Sequence, residues 1–288
     1  MATKDFAHLH VHTEYSMLDG AARLGDLFSY AKELGMSSMA TSDHGFLFGA
    51  FDFWRQAKAH DIKPIIGVEA YLTPGTHRTD RSRVRWGDGS RDDVSGGGAY
   101  THMTMWAETT EGMHNLFRAS SLASLEGQLY KPRMDREVLQ TYSKGLIATT
   151  GCPSGEIQTR LRLGQFDEAL QAASDFRDIF GKDNFYCEVM DHGLDIERNV
   201  QEDLHRLAKQ LNLPYVATND LHYTRQEDHT AHAALLCVQS GSTLTDPKRF
   251  KFDADNFYLR SPEEMYSIFG DIPGACENTL EIAERCNV

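Results

Sequence analysis

Short runs of apolar, β-branched and aromatic residues alternate with longer stretches of helical periodicity along most of this chain. The predicted strands are 6–11, 37–42, 64–71, 101–107, 145–150, 184–190 and 214–219. The predicted helices are 23–35, 47–60, 112–124, 155–180, 196–212 and 226–240. This alternation is typical of parallel βαβ units, so we expect an α/β fold that is either an open doubly wound sheet or a closed barrel.

Two segments depart from this alternation. Residues 72–99 form a Gly- and Arg-rich insertion without a predicted helix, and its arginines suit either a phosphate-contacting loop or a solvated or inter-domain loop. Residues 244–288 lack a strand–helix pair and close in a predicted helix at 277–285 without a polar cap. We therefore expect one domain over 1–243 and a C-terminal extension over 244–288, truncated at 288 from a longer chain.

The composition is that of a globular protein, with 41% hydrophobic and 25% charged residues and a formal net charge of −13 over 288 residues. Such acidity argues against broad electrostatic binding of nucleic acid. No apolar run approaches the ~20 residues of a membrane span, and the first residues carry no signal-peptide core. We therefore expect no membrane partner, and five cysteines without tight spacing favour a reducing cytoplasm. The thirteen histidines need a separate explanation.

Histidines and other metal-type ligands cluster at the ends of the predicted strands. In a parallel α/β fold the carboxyl ends of the strands open on one face, where active sites are built. The candidate metal ligands are His10, His12, Asp19, His44, Glu69, His102, Cys152, Asp220 and His222. His102 is the exception, because it opens its predicted strand. His8 lies one pleat deeper than His10, and we expect it to pack or hydrogen-bond inside the fold.

These ligand types indicate the chemistry of the site. One histidine of this kind is more often an ordinary core or surface residue, but so many at strand ends indicate metal binding. Imidazole and thiolate ligands suit Zn, Fe or Mn. Nine candidates exceed the four ligands of a tetrahedral zinc and suffice for two or three ions. Clustered ions favour phosphoester hydrolysis by a metal-bound hydroxide, without a separate protein nucleophile.

Further residues carry weaker signals with two interpretations each. Asp43 could orient a ligand imidazole or cap the turn that follows its strand. Asp191 and His192 could line a substrate cleft or belong to a glycine-closed turn. The other cysteines are expected to be small buried hydrophobic residues. Five aromatic residues are expected in the core or at an interface: Phe46, Phe48, Phe51, Phe53 and Trp54.

Several motifs resemble a known family. His8-Leu-His-Val-His-Thr-Glu-Tyr-Ser-Met-Leu-Asp-Gly20, then Ser42-Asp-His-Gly45, Pro64-Ile-Ile-Gly-Val-Glu-Ala-Tyr71, Thr150-Gly-Cys-Pro-Ser-Gly155 and Ala217-Thr-Asn-Asp-Leu-His-Tyr223, are similar to the polymerase and histidinol phosphatase (PHP) family. More narrowly, they resemble PHP domains of bacterial DNA polymerase III alpha subunits. The tail around 246–259 is similar to the lead-in to the polymerase palm, and the insertion at 81–100 to actinobacterial-type enzymes.

The resemblance implies a distorted seven-stranded (β/α)7 barrel whose metal site lies at the C-terminal strand ends. It implies three divalent ions, Zn²⁺ and/or Mn²⁺ with Fe as a further option, held by the nine candidates given above. It also implies a proofreading 3′–5′ exonuclease in which a metal-bridging hydroxide attacks the terminal phosphodiester. The implied partners are a single-stranded 3′ end of DNA, the remaining polymerase domains of the full-length chain and other replisome subunits. A metal-stabilised scaffold without turnover and a phosphomonoesterase of the histidinol-phosphatase kind are the alternatives.

Overall fold

The computed structural model describes residues 4–288, which form a curled β-sheet surrounded by helices. The strands are β1 (Ser38–Thr41), β2 (Lys63–Leu72), β3 (Thr101–Ala107), β4 (Arg133–Met134), β5 (Leu146–Thr149), β6 (Phe185–Val189) and β7 (Tyr215–Ala217). The helices are α1 (Leu24–Glu33), α2 (Ala50–Ala59), the one-turn α3 (Ser95–Gly98), α4 (Thr110–Leu125), α5 (Arg136–Tyr142), α6 (Glu156–Arg162), α7 (Phe166–Phe180), α8 (Asp195–Leu211), α9 (His229–Ser240), α10 (Pro262–Phe269) and α11 (Glu277–Arg285).

The sheet follows the order β1-β2-β3-β5-β6-β7, and β4 pairs with β2 off this path. The pairs β1–β2, β5–β6 and β6–β7 are parallel, whereas β3 runs antiparallel to both β2 and β5. The expectation of a wholly parallel sheet is therefore wrong at β3. Parallel neighbours need a crossover connection, usually a helix, and the insertion between β2 and β3 contains only the one-turn α3.

The first predicted strand, 6–11, is present only as isolated bridges. His8 pairs with Met39 of β1, and Val11 pairs with Leu221 just after β7, both in parallel. A side chain replaces one backbone hydrogen bond that a regular strand would make here: the N–H of Val11 donates to the Ser42 hydroxyl. The segment nevertheless lies between the two edges of the sheet. The predicted α/β class with a curled, distorted seven-stranded sheet is confirmed.

Every predicted helix contains a helix in the structure, with one division. The predicted helix over 155–180 is interrupted at Gly164, whose φ of 72° separates α6 from α7. Helices α3, α5 and α10 were not predicted, and α11 has the predicted bounds. Across residues 4–288, none of the helices combines the length and apolarity needed to cross a membrane.

An apolar layer fills the barrel near the amino ends of its parallel strands. It contains Ala7, Leu9, Ala40, Ile65, Trp106, Ile147, Tyr186 and Val216, together with Ile282, Ala283 and Cys286 of α11. A Cβ on Gly67 would lie 2.4 Å from Cδ1 of Trp106, so only glycine fits there. Helix α11 therefore closes one end of the barrel, and the carboxyl ends of the strands lie at the other. The division at 243/244 stays a prediction.

Candidate metal centre

All nine candidate ligands form one connected cluster beyond this apolar layer. Glu69, near the end of β2, lies in the middle of this cluster. Its Oε1 lies 3.0 Å from His102 Nδ1, 3.1 Å from Cys152 Sγ and 3.4 Å from His10 Nε2. Its Oε2 lies 2.7 Å from His44 Nδ1 and 3.5 Å from His12 Nε2. One carboxylate thus contacts donors of five residues that come from four separate segments.

His102 reaches this cluster because β3 is antiparallel. In the β2–β3 register His102 stands opposite Tyr71, so the beginning of β3 lies beside the end of β2. A residue that opens an antiparallel strand occupies the same rim as residues that close parallel strands. The reversed strand therefore accounts for the apparent misplacement of His102 in the sequence.

Asp220 and Asp19 occupy the other side of the cluster. Oδ1 of Asp220 lies 3.3 Å from His10 Nε2 and 3.2 Å from His12 Nε2. Oδ2 of Asp19 lies 2.6 Å from His44 Nε2 and 3.8 Å from His222 Nε2. Asp220 has a φ of 42°, a left-handed conformation that a non-glycine residue adopts at a cost of order 1–3 kcal/mol. Neighbouring contacts must therefore hold this loop in place.

The cluster presents buried polar atoms without hydrogen-bond partners. Among the described residues these include His10 Nε2, His12 Nε2, His44 Nδ1, Glu69 Oε2 and Asp220 Oδ1. An unpaired buried polar atom costs about 1–3 kcal/mol, so a convergent set of this kind is stable when a ligand occupies it. Three overlapping groups have donor atoms within 4.8 Å of one another: His12–His44–His222, His10–His12–Asp220 and His44–Glu69–His102. Nitrogen, oxygen and sulfur donors in this arrangement fit divalent metal ions.

Without cations, the carboxylates hold protons on the surrounding groups. Burial alone would raise the pKa of Glu69, but His102, His44 and His10 hold it well below its ordinary value. Burial alone would lower the pKa of His44, but Glu69 and Asp19 raise it to about 10. Burial and the Glu69 carboxylate raise the pKa of the Cys152 thiol well above its usual range. A metal ion must therefore displace protons to bind.

Metal binding is expected to release protons and to strengthen as the pH rises. Because the raised pKa of His44 keeps its imidazole charged at neutral pH, a cation competes with a proton for the same nitrogen. Isothermal titration of Zn²⁺ into chelator-treated protein, in two buffers of different ionisation enthalpy, measures the protons released. We expect at least about one proton per ion near neutral pH and weaker binding at about pH 6 than at about pH 8. Binding without proton release and without pH dependence would contradict these charge states.

Glu188 supports the cluster and was not found from the sequence. Its fully buried carboxylate lies 2.7 Å from His10 Nδ1 and accepts hydrogen bonds from the hydroxyls of Thr149 and Thr218. When His10 Nδ1–H donates a hydrogen bond to Glu188, the lone pair of His10 Nε2 faces the cluster. Carboxylates commonly orient metal-binding histidines in this way. A lone glutamate within the apolar strand β6 carries no spacing signal, although an acidic residue on a buried strand needs a partner.

The weaker candidates occupy supporting positions. Among the described residues no hydrogen bond joins the Asp43 carboxylate to the His44 ring; the carboxylate accepts a hydrogen bond from Ser16, whose Oγ lies 3.0 Å from His12 Nδ1. His192 Nε2 bonds the carbonyl of Asn219 at 2.9 Å, next to Asp220, and thereby helps to fix that loop. Asp191 is exposed and accepts the N–H of Gly193, which is a turn contact.

The structure also shows the positions of His8, the other cysteines and the aromatic residues at 46–54. His8 is fully buried and its Nε2 bonds the Arg260 carbonyl at 2.9 Å, inside the fold as expected. The remaining cysteines are buried and free, as predicted: Cys187, Cys237, Cys276 and Cys286. Phe53 lies in the core, whereas Phe48, Phe51 and Trp54 are exposed. Phe48 stacks on Phe46 at 4.5 Å, and both line a small cleft with His44 and Asp19.

A second group of metal-type residues lies away from the barrel end. His77, Asp135 and Glu137 also have donor atoms within 4.8 Å of one another. Arg78 already pairs with Asp135 at 3.1 Å and with Glu137 at 2.9 Å. Because a guanidinium neutralises these carboxylates and two members are exposed, this group is an ion-pair network, and the barrel end is the candidate metal centre.

The chain resembles known proteins over nearly all of its length. It is 58% identical to DNA polymerase III subunit alpha of Saccharopolyspora erythraea, over 99% of this chain and 25% of that protein. It is 55% identical to the subunit of the same name from Mycobacterium tuberculosis, over 99% of this chain and 24% of that protein. The chain thus spans about a quarter of the length of these relatives.

The chain also resembles a solved structure and a domain family. A solved two-domain protein from Bacteroides vulgatus, described as containing a PHP-like metal-dependent phosphoesterase, is similar with a TM-score of 0.45 and 14% identity, over 91% of this chain and 62% of that one. The profile of the PHP domain family matches residues 8–192, more than half of the sequence. The chain therefore belongs to the PHP domain family.

Proposed function

We propose that this chain is the PHP domain of a DNA polymerase III alpha subunit and acts as a metal-dependent proofreading 3′–5′ exonuclease. The observation that carries the proposal is the convergence of nine donors, several of them buried and unpartnered, at one end of the barrel. The similarity to DNA polymerase III alpha subunits over 99% of the chain supports DNA as the substrate. In this proposal the remaining polymerase domains of the same chain and other replisome subunits are its partners.

Each side chain of the centre has a separate task in the proposal. Three divalent ions, Zn²⁺ and/or Mn²⁺, would be held by the nine candidate ligands and would supply Lewis-acid polarisation of the phosphate and a water of lowered pKa. Glu69 contacts five of the other candidate ligands, so its carboxylate would hold metal ions in the middle of the cluster. Glu188 fixes the orientation of His10, and Ser16 fixes that of His12.

The rim of the centre carries aromatic rings and a cation, which are groups that commonly contact nucleotides. The cleft above His44 is lined by Tyr15, Phe46, Phe48, Tyr71 and Lys131. The Phe48 side chain is 65% exposed, so its ring is free to stack on a terminal base. Lys131 supplies a positive charge beside a phosphate, with its Nζ 5.3 Å from the centroid of the Tyr71 ring. An exposed ring and a lysine at this rim therefore support a nucleotide as the substrate.

The proposal is tested with two substrates and one enzyme preparation. Purified chain with Mn²⁺ or Zn²⁺ is incubated with a 5′-labelled primer carrying a 3′ mismatch and, separately, with a small phosphomonoester. Stepwise loss of 3′ nucleotides is the expected result. Phosphate release from the small ester alone would replace the proposal with a phosphomonoesterase, and no turnover on either substrate would leave the metal-stabilised scaffold.

A further inference from the structure

A wide groove lies between the insertion and the C-terminal extension. Its volume is about 720 Å³, and one wall comes from residues 84–98 and the other from residues 247–253, with Ile196 between them. None of the nine candidate ligands lines it. We call it the basic groove.

The basic groove is positively charged on a chain with a net charge of −13. Its lining has five cationic side chains, Arg85, Arg91, Lys248, Arg249 and Lys251, and two acidic ones, Asp93 and Asp253. Within residues 4–288, four of those cations have no carboxylate within 4.0 Å, and only Lys251 pairs, with Asp253 at 3.4 Å. Asp93 is occupied by the backbone N–H groups of its own loop. The groove thus presents uncompensated positive charge.

The insertion wall is held in shape by contacts to helix α6 and to the junction between α6 and α7. The Arg160 guanidinium lies 3.7 Å above the Trp86 ring, and Gln165 donates to the Trp86 carbonyl at 2.7 Å. Arg83 donates to the carbonyls of Gly96 and Gly97, which closes the loop on itself. A solvated loop would lack such anchors. This wall of the groove is therefore preformed, which lowers the entropic cost of binding a ligand.

The opposite wall alternates cations with aromatic rings in the sequence Lys248-Arg249-Phe250-Lys251-Phe252. Phe250 is 53% exposed between Arg249 and Lys251. Proteins that bind single strands combine such cationic grooves with exposed rings on which bases stack. An acidic protein segment would match the charge, but cations alternating with an exposed ring are the pattern of single-strand binders.

The basic groove extends toward the candidate metal centre. A second cavity of about 330 Å³ shares Arg249, Lys251 and Asp253 with it and also contains His232. His232 Nε2 bonds the main-chain carbonyl of the candidate ligand Asp19 at 2.7 Å. Phe252 packs against His222, with ring centroids 4.7 Å apart. A strand in the groove would therefore run toward the ligand cluster.

We propose that the basic groove binds the phosphate backbone of single-stranded DNA and directs its 3′ end toward the metal centre. This inference rests on the proposed exonuclease function for the direction of the strand. Binding itself is independent of turnover.

The test measures binding of a fluorescein-labelled oligothymidylate of about twelve nucleotides by anisotropy, in chelator and at several low salt concentrations. The Lys248→Gln/Arg249→Gln/Lys251→Gln variant is compared with a matched control, Lys58→Gln/Lys182→Gln/Lys209→Gln, which removes the same charge from exposed lysines elsewhere. We expect the groove variant to bind at least about tenfold more weakly and its slope of log affinity against log salt to fall by about 2, since each phosphate contact contributes about 0.7. The control should keep the wild-type slope.

Additional variants separate folding from binding. Arg85→Gln/Arg91→Gln removes two charges from the other wall and should reduce the slope by about 1.4, and Phe250→Ala should weaken binding without changing the slope. Melting curves of each variant check the fold. Wild-type affinity in the folded groove variants, or equally tight groove-dependent binding of polyglutamate, would overturn the inference.

Cleavage assays distinguish this failure from failure of the proposed function. If the wild type removes 3′ nucleotides and the groove variants do so with unchanged KM, the groove inference is wrong and the exonuclease stands. If the wild type does not cleave but the groove variants lose DNA binding, the exonuclease proposal is wrong and the groove stands.

Discussion

Asp220→Asn is expected to lower the rate of 3′-terminal hydrolysis by about 10³-fold while the chain stays folded. The substitution keeps the volume of the side chain but removes the charge that lies 3.3 Å from His10 and 3.2 Å from His12. Metal ions at such centres contribute several kcal/mol of transition-state stabilisation, and about 4 kcal/mol corresponds to about 10³ in rate. Single-turnover kinetics on the mismatched primer measure the loss, and metal content measured on the same sample reports the lost ligand.

Asp191→Asn is the matched control for this substitution. Asp191 is exposed and accepts only the N–H of Gly193 with its carboxylate among the described contacts, a bond that asparagine also makes. We expect its rate to remain within about twofold of wild type, because surface substitutions of this kind change little. If Asp220→Asn retained wild-type cleavage, or if both variants lost activity equally, Asp220 would not be a ligand in a catalytic centre.

Removal of metal is expected to lower the melting temperature on the order of 10 °C. Buried atoms of His10, His12, His44, Glu69 and Asp220 have no hydrogen-bond partner within the described chain, so the apo centre carries an unpaired polar cost. A bound ligand at about 1,000 times its Kd stabilises a fold by about 4 kcal/mol, and each kcal/mol shifts the melting temperature of a chain of this size by roughly 2–4 °C. Thermal denaturation with and without chelator, followed by addition of Mn²⁺ or Zn²⁺, measures the effect.

Glu69→Gln provides the control for the chelation experiment. Glutamine keeps the shape of the central side chain but removes the charge shared by His44 and His102. We expect this variant to respond much less to chelator than the wild type does. An identical melting temperature for the wild type with chelator and with added metal would mean that the cluster holds no ion that matters to the fold.

The positions of the candidate ligands could be predicted because residue spacing along a strand determines which face of the sheet each side chain occupies. The two-residue spacing of His10 and His12 places both side chains on one face of an extended segment, and the structure brings both to the cluster. His44 and Asp220 lie in the loops just beyond the ends of β1 and β7, so their place at the rim needs only the expectation that strand ends meet. Their assignment as ligands stays a prediction.

The direction of β3 and the support of the cluster could not be predicted in the same way. Periodicity shows that residues 101–107 form a strand but carries no information on its direction, and the missing crossover helix in the insertion was the available signal. The role of Glu188 in orienting His10 is visible only in the fold, which places its carboxylate 2.7 Å from His10 Nδ1, 178 residues away in sequence. Long-range hydrogen bonds of this kind depend on packing that local patterns do not encode.

The central claim is that this centre hydrolyses the terminal phosphodiester of a 3′ end, and an isotope measurement tests it most directly. The reaction is run in ¹⁸O-labelled water with the mismatched primer, and the released mononucleotide is analysed by mass spectrometry. Attack of water at phosphorus, with the 3′ oxygen leaving, predicts a nucleoside 5′-monophosphate that carries ¹⁸O in its phosphate, released by the wild type but not by Glu69→Gln. Absence of mononucleotide from the wild type, or equal release by Glu69→Gln, would contradict the account.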